Sequence, residues 1–228
     1  MIGYFEMKFG FYRRAISLRI NAVREFFYLK RIRRNIRNKD FTIISNNCWG
    51  GSIYQDLGIP YASPTIGLFF FFSPCYIRFI SALRENLDAE LEFVKQSKYE
   101  KCNYLQTLNA YPIGLLNKEI EIHFLHYHTE AEAMEKWNRR VSRVNFNNLF
   151  FSFSDNEECG IDEIEAFNQL PGKKVFFSAK KIPGIQSLIF IKSFRNQKVV
   201  GDMYDKRWHH RRYFDVVNWL NSGKKKAK

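Results

Sequence analysis

Residues 41–51 read Phe41-Thr42-Ile43-Ile44-Ser45-Asn46-Asn47-Cys48-Trp49-Gly50-Gly51, where a short apolar segment runs directly into a polar one. The first five residues have the β-branched and aromatic character of a buried strand. The glycine pair would let backbone N–H groups approach a ligand, because glycine has no Cβ. We therefore predict a strand followed by a ligand-binding loop, whose candidate binding residues are Asn46, Asn47, Cys48, Trp49, Gly50 and Gly51.

Strand and helix patterns alternate along the rest of the chain. Further strands are predicted at residues 66–72, 119–127, 148–153, 174–178 and 188–194. Helices are predicted at residues 74–96, 130–143, 162–168 and 213–220. Because strands interleaved with helices are typical of α/β proteins, we predict an α/β fold with a largely parallel sheet and flanking helices.

The domain organisation follows from the same pattern. We predict a basic helical segment at residues 1–39 and an α/β domain at residues 40–228. A domain of this length forms either one unit or two small lobes that share a cleft, with a lobe boundary near residues 106–118.

The formal net charge of +13 is concentrated at the two ends of the chain. Residues 1–40 carry 11 Lys or Arg against 3 Asp or Glu, and residues 201–228 carry 8 against 3. The 160 residues between them are therefore electroneutral by count. If basic residues of this protein bind an acidic partner, we expect them to lie at the ends of the chain and not on the central body.

The N-terminal segment has the pattern of a cationic amphipathic helix. Bulky apolar residues recur every three or four positions, at Phe5, Phe9, Tyr12, Ile16, Ile20, Val23 and Phe27. The candidate membrane-surface residues are Arg13, Arg14, Arg24, Arg31, Arg33 and Arg34. Such a helix can lie on an anionic membrane, pack its apolar stripe on the domain's own core, or bind an acidic partner. Nucleic acid is not an expected partner, because no helix-turn-helix, zinc-finger or RNP pattern is present.

The spacing of the cysteines and the length of the longest apolar run indicate the cellular location of the protein. The four cysteines are widely spaced with no C-x-x-C pair, and no cleavable signal peptide is recognisable. The longest apolar run, residues 66–72, is far shorter than the ~20 residues of a membrane-spanning helix. We predict a cytoplasmic protein with reduced thiols, either free or peripheral at the inner face of the membrane.

A second polar segment, Asp155-Asn156-Glu157, follows the predicted strand at residues 148–153. Ligands of α/β proteins bind at the carboxyl ends of the strands, so this segment and residues 46–51 are expected to share a crevice. Two carboxylates in this position could hold Mg²⁺ or Mn²⁺, or could cap the next helix. Asp155 is the first candidate catalytic residue, and the sequence leaves the cofactor open.

Histidine and arginine supply the remaining candidates. His126 is the second candidate catalytic residue, and with His128 it could contribute to a metal site. Cys48 has no base beside it in sequence and is assigned to ligand binding. Arg139 and Arg140 could clamp a phosphate, or could pair with the glutamates that precede them.

The chain resembles a bacterial family of proteins of unknown function that are often described as exopolysaccharide biosynthesis proteins. The matching motifs lie within about residues 40–183 and are Ile44-Ser45-Asn46-Asn47-Cys48-Trp49-Gly50-Gly51, Ser63-Pro64-Thr65-Ile66-Gly67-Leu68, Tyr111-Pro112-Ile113-Gly114, His123-Phe124-Leu125-His126-Tyr127 and Lys136-Trp137-Asn138-Arg139-Arg140. Members tend to be encoded near capsule or lipopolysaccharide assembly enzymes, which implies a role in surface glycan construction. The resemblance carries over no catalytic residue and no cofactor.

We therefore expect a transferase of surface polysaccharide assembly that moves a glycosyl group from a nucleotide sugar to a lipid-linked acceptor. Arg139 and Arg140 would neutralise the leaving diphosphate, and Asp155 or His126 would activate the acceptor hydroxyl. Three alternatives stay open: an acyl- or phosphotransferase of the same pathway, a metal-dependent glycan hydrolase with His126, His128 and Asp155 as ligands, and a non-enzymatic scaffold at the membrane.

Overall fold

The structure, a computed structural model, describes residues 2–108, 110–156, 158–201, 203 and 208–226, with the backbone alone at residues 2–18, 208 and 209. Its helices are α1 (Ile2–Asn35), α2 (Trp49–Leu57), α3 (Ser73–Ser81), α4 (Leu83–Asp88), α5 (Glu100–Leu108), α6 (Glu130–Val141), α7 (Ile161–Gln169), α8 (Trp208–Tyr213) and α9 (Val216–Ser222). Its strands are β1 (Thr42–Ser45), β2 (Leu91–Val94), β3 (Ile113–Leu116), β4 (Ile120–His123), β5 (Leu149–Ser154), β6 (Lys173–Ser178) and β7 (Leu188–Phe190).

The main sheet has the strand order β1-β5-β6-β7, and every neighbouring pair in it is parallel. Helix α7 makes the crossover from β5 to β6. The predicted α/β fold with a largely parallel sheet is therefore confirmed. The carboxyl ends of β1 and β5 are adjacent, because Ser45 pairs with Ser152.

Both faces of this sheet are buried. Side chains of β5 and β6 alternate between two apolar clusters: Phe150 and Val175 belong to one, and Phe151 and Phe176 to the other. The first cluster packs against α1, α2 and α9, and the second against α3, α6, α7 and a small second sheet. Burial on both sides explains why these strands read as nearly continuous apolar runs.

The second sheet is antiparallel, with the order β2-β3-β4, and it corrects part of the sequence interpretation. The helix predicted at residues 74–96 is wrong as one continuous helix, because α3 ends at Ser81, α4 ends at Asp88, and β2 occupies Leu91–Val94. The side-chain amide of Asn86 donates hydrogen bonds of 3.0 Å to the carbonyls of Arg78 and Phe79, which ends α3 there. A short α4 follows, and then β2 begins the small sheet.

The apolar segment at residues 66–72 is not a strand of either sheet. Its one bridge in the described structure joins Phe69 to His123. Leu68 and Phe70 are fully buried in the second cluster, whereas Phe69 and Phe71 are only half-buried. The run is apolar on both faces, but the second face borders a cavity.

Among the described side chains, α1 contacts the first cluster near its C-terminal end, where Ile32 is buried together with Ile36 just after the helix. The stripe residues Ile20, Val23 and Phe27 are 47%, 55% and 62% exposed, so the interpretation that they pack on the domain's own core is wrong. The side chains of Arg13 and Arg14, with those of the earlier stripe residues, lie outside the described residues. Within the described chain, no helix combines the length and apolarity that crossing a membrane requires.

Candidate active site

A cavity of about 950 Å³ opens at the carboxyl ends of β1 and β5. Residues 46–49 and residues 155–156 both line it, so the two polar segments do share a crevice. Further walls come from residues 66–72, from α5, from the turn after β4, and from residues 199–201 and 203. The site is therefore built from at least six separate parts of the chain, and no single motif contains it.

Cys48 and His126 meet in this cavity. The Sγ atom of Cys48 lies 3.3 Å from Nε2 of His126, although 78 positions separate the two residues in sequence. Cys48 is half-buried and His126 is exposed, and both face the cavity. A thiol beside an imidazole is the arrangement that converts cysteine into a nucleophile. Sequence reasoning missed this pair, because the contact exists only after folding.

The position of Cys48 at the N-terminus of α2 also favours its use as a nucleophile. Cys48 is the N-cap residue, and no side chain caps the helix from that position. The N–H of Trp49 is bound by the Oδ1 atom of Asn47 at 3.0 Å. The N–H groups of Gly50 and Gly51 have no acceptor among the described residues. First-turn N–H groups point out of the helix toward its N-terminus, so these two can stabilise negative charge that develops near the thiol.

His126 is held by the turn that follows β4. The hydroxyl of Tyr127 donates a 2.7 Å hydrogen bond to the carbonyl of Ile66 and also contacts the guanidinium of Arg140. Gly67 lies directly beside this turn and has a φ of +73°. A Cβ at Gly67 would lie 3.1 Å from the Tyr127 ring and 3.4 Å from Cβ of His126. Glycine therefore allows the close approach that brings the imidazole to Cys48.

Asn46 joins the ends of two strands and is not a ligand-binding side chain in this arrangement. Its amide donates to the carbonyl of Ser154 at 2.9 Å and accepts from the N–H of Ser154 at 3.0 Å. The side chain is buried, and the main-chain carbonyl accepts from the N–H of Phe70 at 2.9 Å. Asn46 thus fixes the loop that carries Cys48 to β5 and to the 66–72 segment.

Asp155 has a similar joining role at the end of β5. Its Oδ2 accepts from Oγ of Ser178 at 2.6 Å and from the N–H of Ala179 at 3.1 Å, and its Oδ1 accepts from the N–H of Val200 at 2.5 Å. Burial raises the pKa of this carboxyl, and the three hydrogen bonds oppose the increase. Both oxygens are already engaged, so the carboxylate is poorly placed to accept a proton from a substrate.

Trp49 and Gly50 are packing residues within α2, which begins earlier than the predicted loop allows. The indole ring is 4% exposed and packs against Phe177, Phe214 and Trp219. Its Nε1 has no hydrogen-bond partner among the described residues. A Cβ at Gly50 would lie 3.1 Å from Cβ of Ser45 and 3.2 Å from Cγ2 of Ile43. Glycine is thus required here for helix packing.

The structure separates the two candidate arginines. Arg140 is buried and lines the cavity, and its guanidinium donates to the carbonyl of Ile66 at 2.8 Å. No carboxylate lies within 4.0 Å of it among the described residues. Arg139 is exposed, pairs with Glu135 at 3.1 Å and does not line the cavity. The interpretation of the two residues as a joint clamp is therefore wrong, and Arg140 alone can meet an anion in the cavity.

The proposed metal ligands that the structure describes do not assemble into a site. His128 is exposed and does not line the cavity, and Glu157 lies outside the described residues. Asn156 donates from its side-chain amide to the carbonyl of Phe71 at 3.0 Å. Throughout the described part of the chain, no group of three His, Cys, Asp or Glu side chains is arranged to hold a metal ion.

One buried polar network near the cavity was also not predicted. Glu121 accepts from Oγ of Ser97 at 2.5 Å and from the N–H of Lys98 at 3.0 Å, and it contacts Nε2 of His123 at 2.8 Å. Burial opposes the charge on Glu121, but the hydrogen bonds from His123, Ser97 and Lys98 prevail and lower its pKa. Nδ1 of His123 lies 3.2 Å from the hydroxyl of Tyr111. The network attaches the small sheet to the segment that leads into α5.

Comparison with known proteins gives a family for this chain. The family model described as "Domain of unknown function (DUF1919)" matches residues 19–221. The chain belongs to the DUF1919 family. A relative from Haemophilus influenzae, itself described as an uncharacterized protein, is 36% identical over 212 residues, which cover 90% of this chain and 96% of the relative. The Cys48–His126 site, the 66–72 segment and the main sheet of this DUF1919 protein all lie inside the matched region.

Proposed function

We propose that this DUF1919 protein is an acyltransferase of bacterial surface polysaccharide assembly, and that Cys48 carries the acyl group during transfer. The contact between Cys48 and His126 is the observation that carries this proposal. The pathway is inferred only from the resemblance of the sequence motifs to proteins described as exopolysaccharide biosynthesis proteins. Acyl transfer was an alternative at the level of sequence, and the position of the thiol now favours it over glycosyl transfer.

The first half of the reaction loads the thiol. His126 takes the proton of the Cys48 thiol through Nε2, and the thiolate attacks the carbonyl carbon of an acyl thioester donor. The carbon–sulfur bond of the donor breaks, and its thiol leaves with the proton that His126 returns. The N–H groups of Gly50 and Gly51 would stabilise the oxyanion of the tetrahedral intermediate.

The second half of the reaction transfers the group. A hydroxyl of the acceptor gives its proton to His126 and attacks the carbonyl of the Cys48 thioester. The new ester forms, the bond to Cys48 breaks, and the thiolate recovers the proton from His126. No oxidant, reductant or metal is needed in either half, and Cys48 ends as it began.

Arg140 would bind the charged part of the donor. It is a buried cation with no carboxylate partner among the described residues, so an anion in the cavity would complete its environment. A guanidinium recognises phosphate or carboxylate through paired hydrogen bonds. Activated acyl thioesters of the coenzyme A type carry such phosphates.

The test is whether Cys48 becomes acylated by an acyl thioester. Purified protein would be incubated with acetyl-coenzyme A and longer acyl-coenzyme A thioesters, and the acylated cysteine would be identified by peptide mass spectrometry. We expect a thioester on Cys48, and we expect His126→Gln to slow its formation by a factor of about 100 or more. Cys102 lines the same cavity, but burial raises its pKa to about 11, so it is the internal control thiol.

Equal labelling of Cys48 and Cys102, or labelling of Cys48 that His126→Gln leaves unchanged, would contradict the proposal. The Cys102→Ser variant should be labelled at Cys48 as fast as the wild-type protein. It is a matched control, because it removes a cavity thiol without touching His126.

Glycosyl transfer from a nucleotide sugar is the second candidate. Arg140 favours it, since a buried cation without a carboxylate partner among the described residues also suits a leaving diphosphate. In that case His126 would be the base, because both oxygens of Asp155 already accept hydrogen bonds. A thermal-shift screen of UDP-, GDP- and CMP-sugars against acyl thioesters separates the two, because each mechanism predicts stabilisation by its own donor class only.

We also propose that α1 docks this protein on an anionic membrane surface. The exposed face of α1 carries Phe26 and Phe27 beside Arg24 and Arg31. An anionic membrane surface has the matching chemistry, since it accepts aromatic rings at the headgroup level and attracts cations. Docking there would bring the site to an acceptor that is linked to a lipid.

A further inference from the structure

The wall of the cavity beside the Cys48–His126 pair is unusually apolar. It is formed by the segment of residues 66–72, which alternates like a strand without pairing into a sheet. Leu68 and Phe70 point into the core, where both are 0% exposed. Phe69 and Phe71 point the other way, line the cavity, and have ring centroids only 4.6 Å apart.

This wall begins at the reacting groups. A Cβ at Gly67 would lie 3.4 Å from Cβ of His126, and the N–H of Phe70 donates to the carbonyl of Asn46 at 2.9 Å. At the far end, the carbonyl of Phe71 accepts from the side chain of Asn156 at 3.0 Å. The two half-buried rings therefore line the same cavity as Cys48 and His126.

The apolar surface continues from this wall onto α5. Leu105 lines the cavity and is 40% exposed. Tyr104 and Leu108 of the same helix are 68% and 62% exposed. Leu105 and Leu108 are three positions apart, so they lie on one side of α5. Exposed apolar patches mark interaction surfaces or ligand-binding grooves, and here the patch extends a cavity wall.

We propose that this wall and α5 bind a long hydrocarbon chain, so that the acyl donor is a long-chain thioester with its carbonyl at Cys48. The inference rests on the proposed acyl transfer and adds the substrate class. A chain that starts at the thiol would pass Phe69 and Phe71 and leave over Leu105. Each methylene that moves from water into this groove favours binding, whereas a short acyl group gains nothing from it.

The experiment measures how chain length affects acylation of Cys48. The reagents are p-nitrophenyl acetate, octanoate and dodecanoate, each with its rate divided by the rate for free cysteine in solution. We expect the normalised rate constant to rise by about 100-fold or more from acetate to octanoate, since up to about fourfold is available per buried methylene. Leu105→Asp should lower the octanoate rate by about tenfold more than it lowers the acetate rate.

Ile161→Asp is the matched control, because Ile161 is 52% exposed on α7 and does not line the cavity. It makes the same change of an exposed apolar residue to an acid, and it should leave the whole chain-length series unchanged. The Cys48→Ser variant supplies a readout without thiol chemistry: it should bind a dansyl-labelled undecanoic acid, and Leu105→Asp should weaken that binding.

The outcomes separate this inference from the proposed function. Labelling of Cys48 at a rate independent of chain length, without binding of the dansyl probe, would overturn the long-chain donor and leave acyl transfer standing. Binding of the probe that Leu105→Asp weakens, with no ester labelling Cys48, would support the chain site and overturn the acyl-enzyme. A chain-length effect that Ile161→Asp abolishes as fully as Leu105→Asp would overturn the assignment of the groove.

Discussion

Asp155 has a side chain that could act in catalysis, but its oxygens are used in hydrogen bonds that hold the fold together. Its two oxygens accept from Ser178, Ala179 and Val200, which belong to β6 and to two separate loops. A carboxylate with three donors is well placed to hold these segments together, because each unmade buried hydrogen bond costs free energy. At the level of the residue, Asp155 is therefore a structural joint at the edge of the cavity.

The change of Asp155 to Asn tests this role. Asn offers one acceptor oxygen instead of two and turns an NH₂ group toward a donor, so we expect the free energy of unfolding to fall by about 1–3 kcal/mol. Because burial raises the pKa of Asp155 in the folded protein, the stability that its protonated form contributes is fully present below the unfolded pKa and declines as the pH rises through the folded pKa. The free energy of unfolding, measured with urea, should therefore differ more between wild type and variant at about pH 3 than at about pH 7. Equal stability of the two proteins across this range would contradict the structural role.

At the scale of secondary-structure elements, a strand was predicted correctly where other elements of the protein cover both of its faces. The predicted strands at residues 148–153 and 174–178 lie within one residue of β5 and β6, because burial on both faces leaves an unmistakable apolar run. The segment at residues 66–72 is equally apolar, yet its second face borders the cavity, and in the described structure a single bridge to His123 is its only strand pairing. The composition of an apolar segment does not show whether its second face packs against a helix or borders a ligand-binding cavity. The contact of Cys48 with His126 was equally out of reach, since it depends on how the turn after β4 packs on Gly67.

Helix α2 packs on β1 through Gly50, whereas a Cβ at the neighbouring Gly51 would not contact β1. A Cβ at Gly50 would press on Ser45 and Ile43, which are buried in the strand and cannot easily retreat. A Cβ at Gly51 would make an ordinary contact with Ile66 at 3.5 Å. We expect Gly50→Ala to lower the free energy of unfolding by about 1–2 kcal/mol, the cost of overpacking less the gain in helix propensity. Gly51→Ala should be neutral or stabilise by up to about 1 kcal/mol.

Urea unfolding of the two variants beside the wild-type protein measures both effects. The same loss of stability in both variants would show that the two glycines are needed for the backbone conformation and not for the packing of α2 on β1.

At the scale of the whole molecule, charge and apolar exposure coincide on α1. The central body is electroneutral by count, so the N-terminal excess of positive charge is not balanced by a neighbouring acidic region in sequence. Arg24, Arg31 and Arg34 are exposed, as are Phe26 and Phe27, at 62% each. Arg33 differs, because its side chain donates to the carbonyl of Asp56 at 2.8 Å at the end of α2. Three of the predicted membrane-surface arginines are thus available for docking, and Arg33 supports the fold.

Vesicle co-sedimentation tests whether this face binds anionic lipid. The double variant Arg31→Glu/Arg34→Glu should lose at least about tenfold in affinity for vesicles containing phosphatidylserine, because each cation near the surface contributes about 1 kcal/mol and reversal replaces attraction with repulsion. Phe26→Ser/Phe27→Ser should also weaken binding, but with less dependence on salt, since it removes apolar contact and leaves the charge. The matched control is Lys95→Glu/Lys118→Glu, which makes the same change in net charge at exposed positions beside the strands of the small sheet. If that control lost as much affinity as the α1 variant, binding would reflect net charge alone and α1 would not be the docking element.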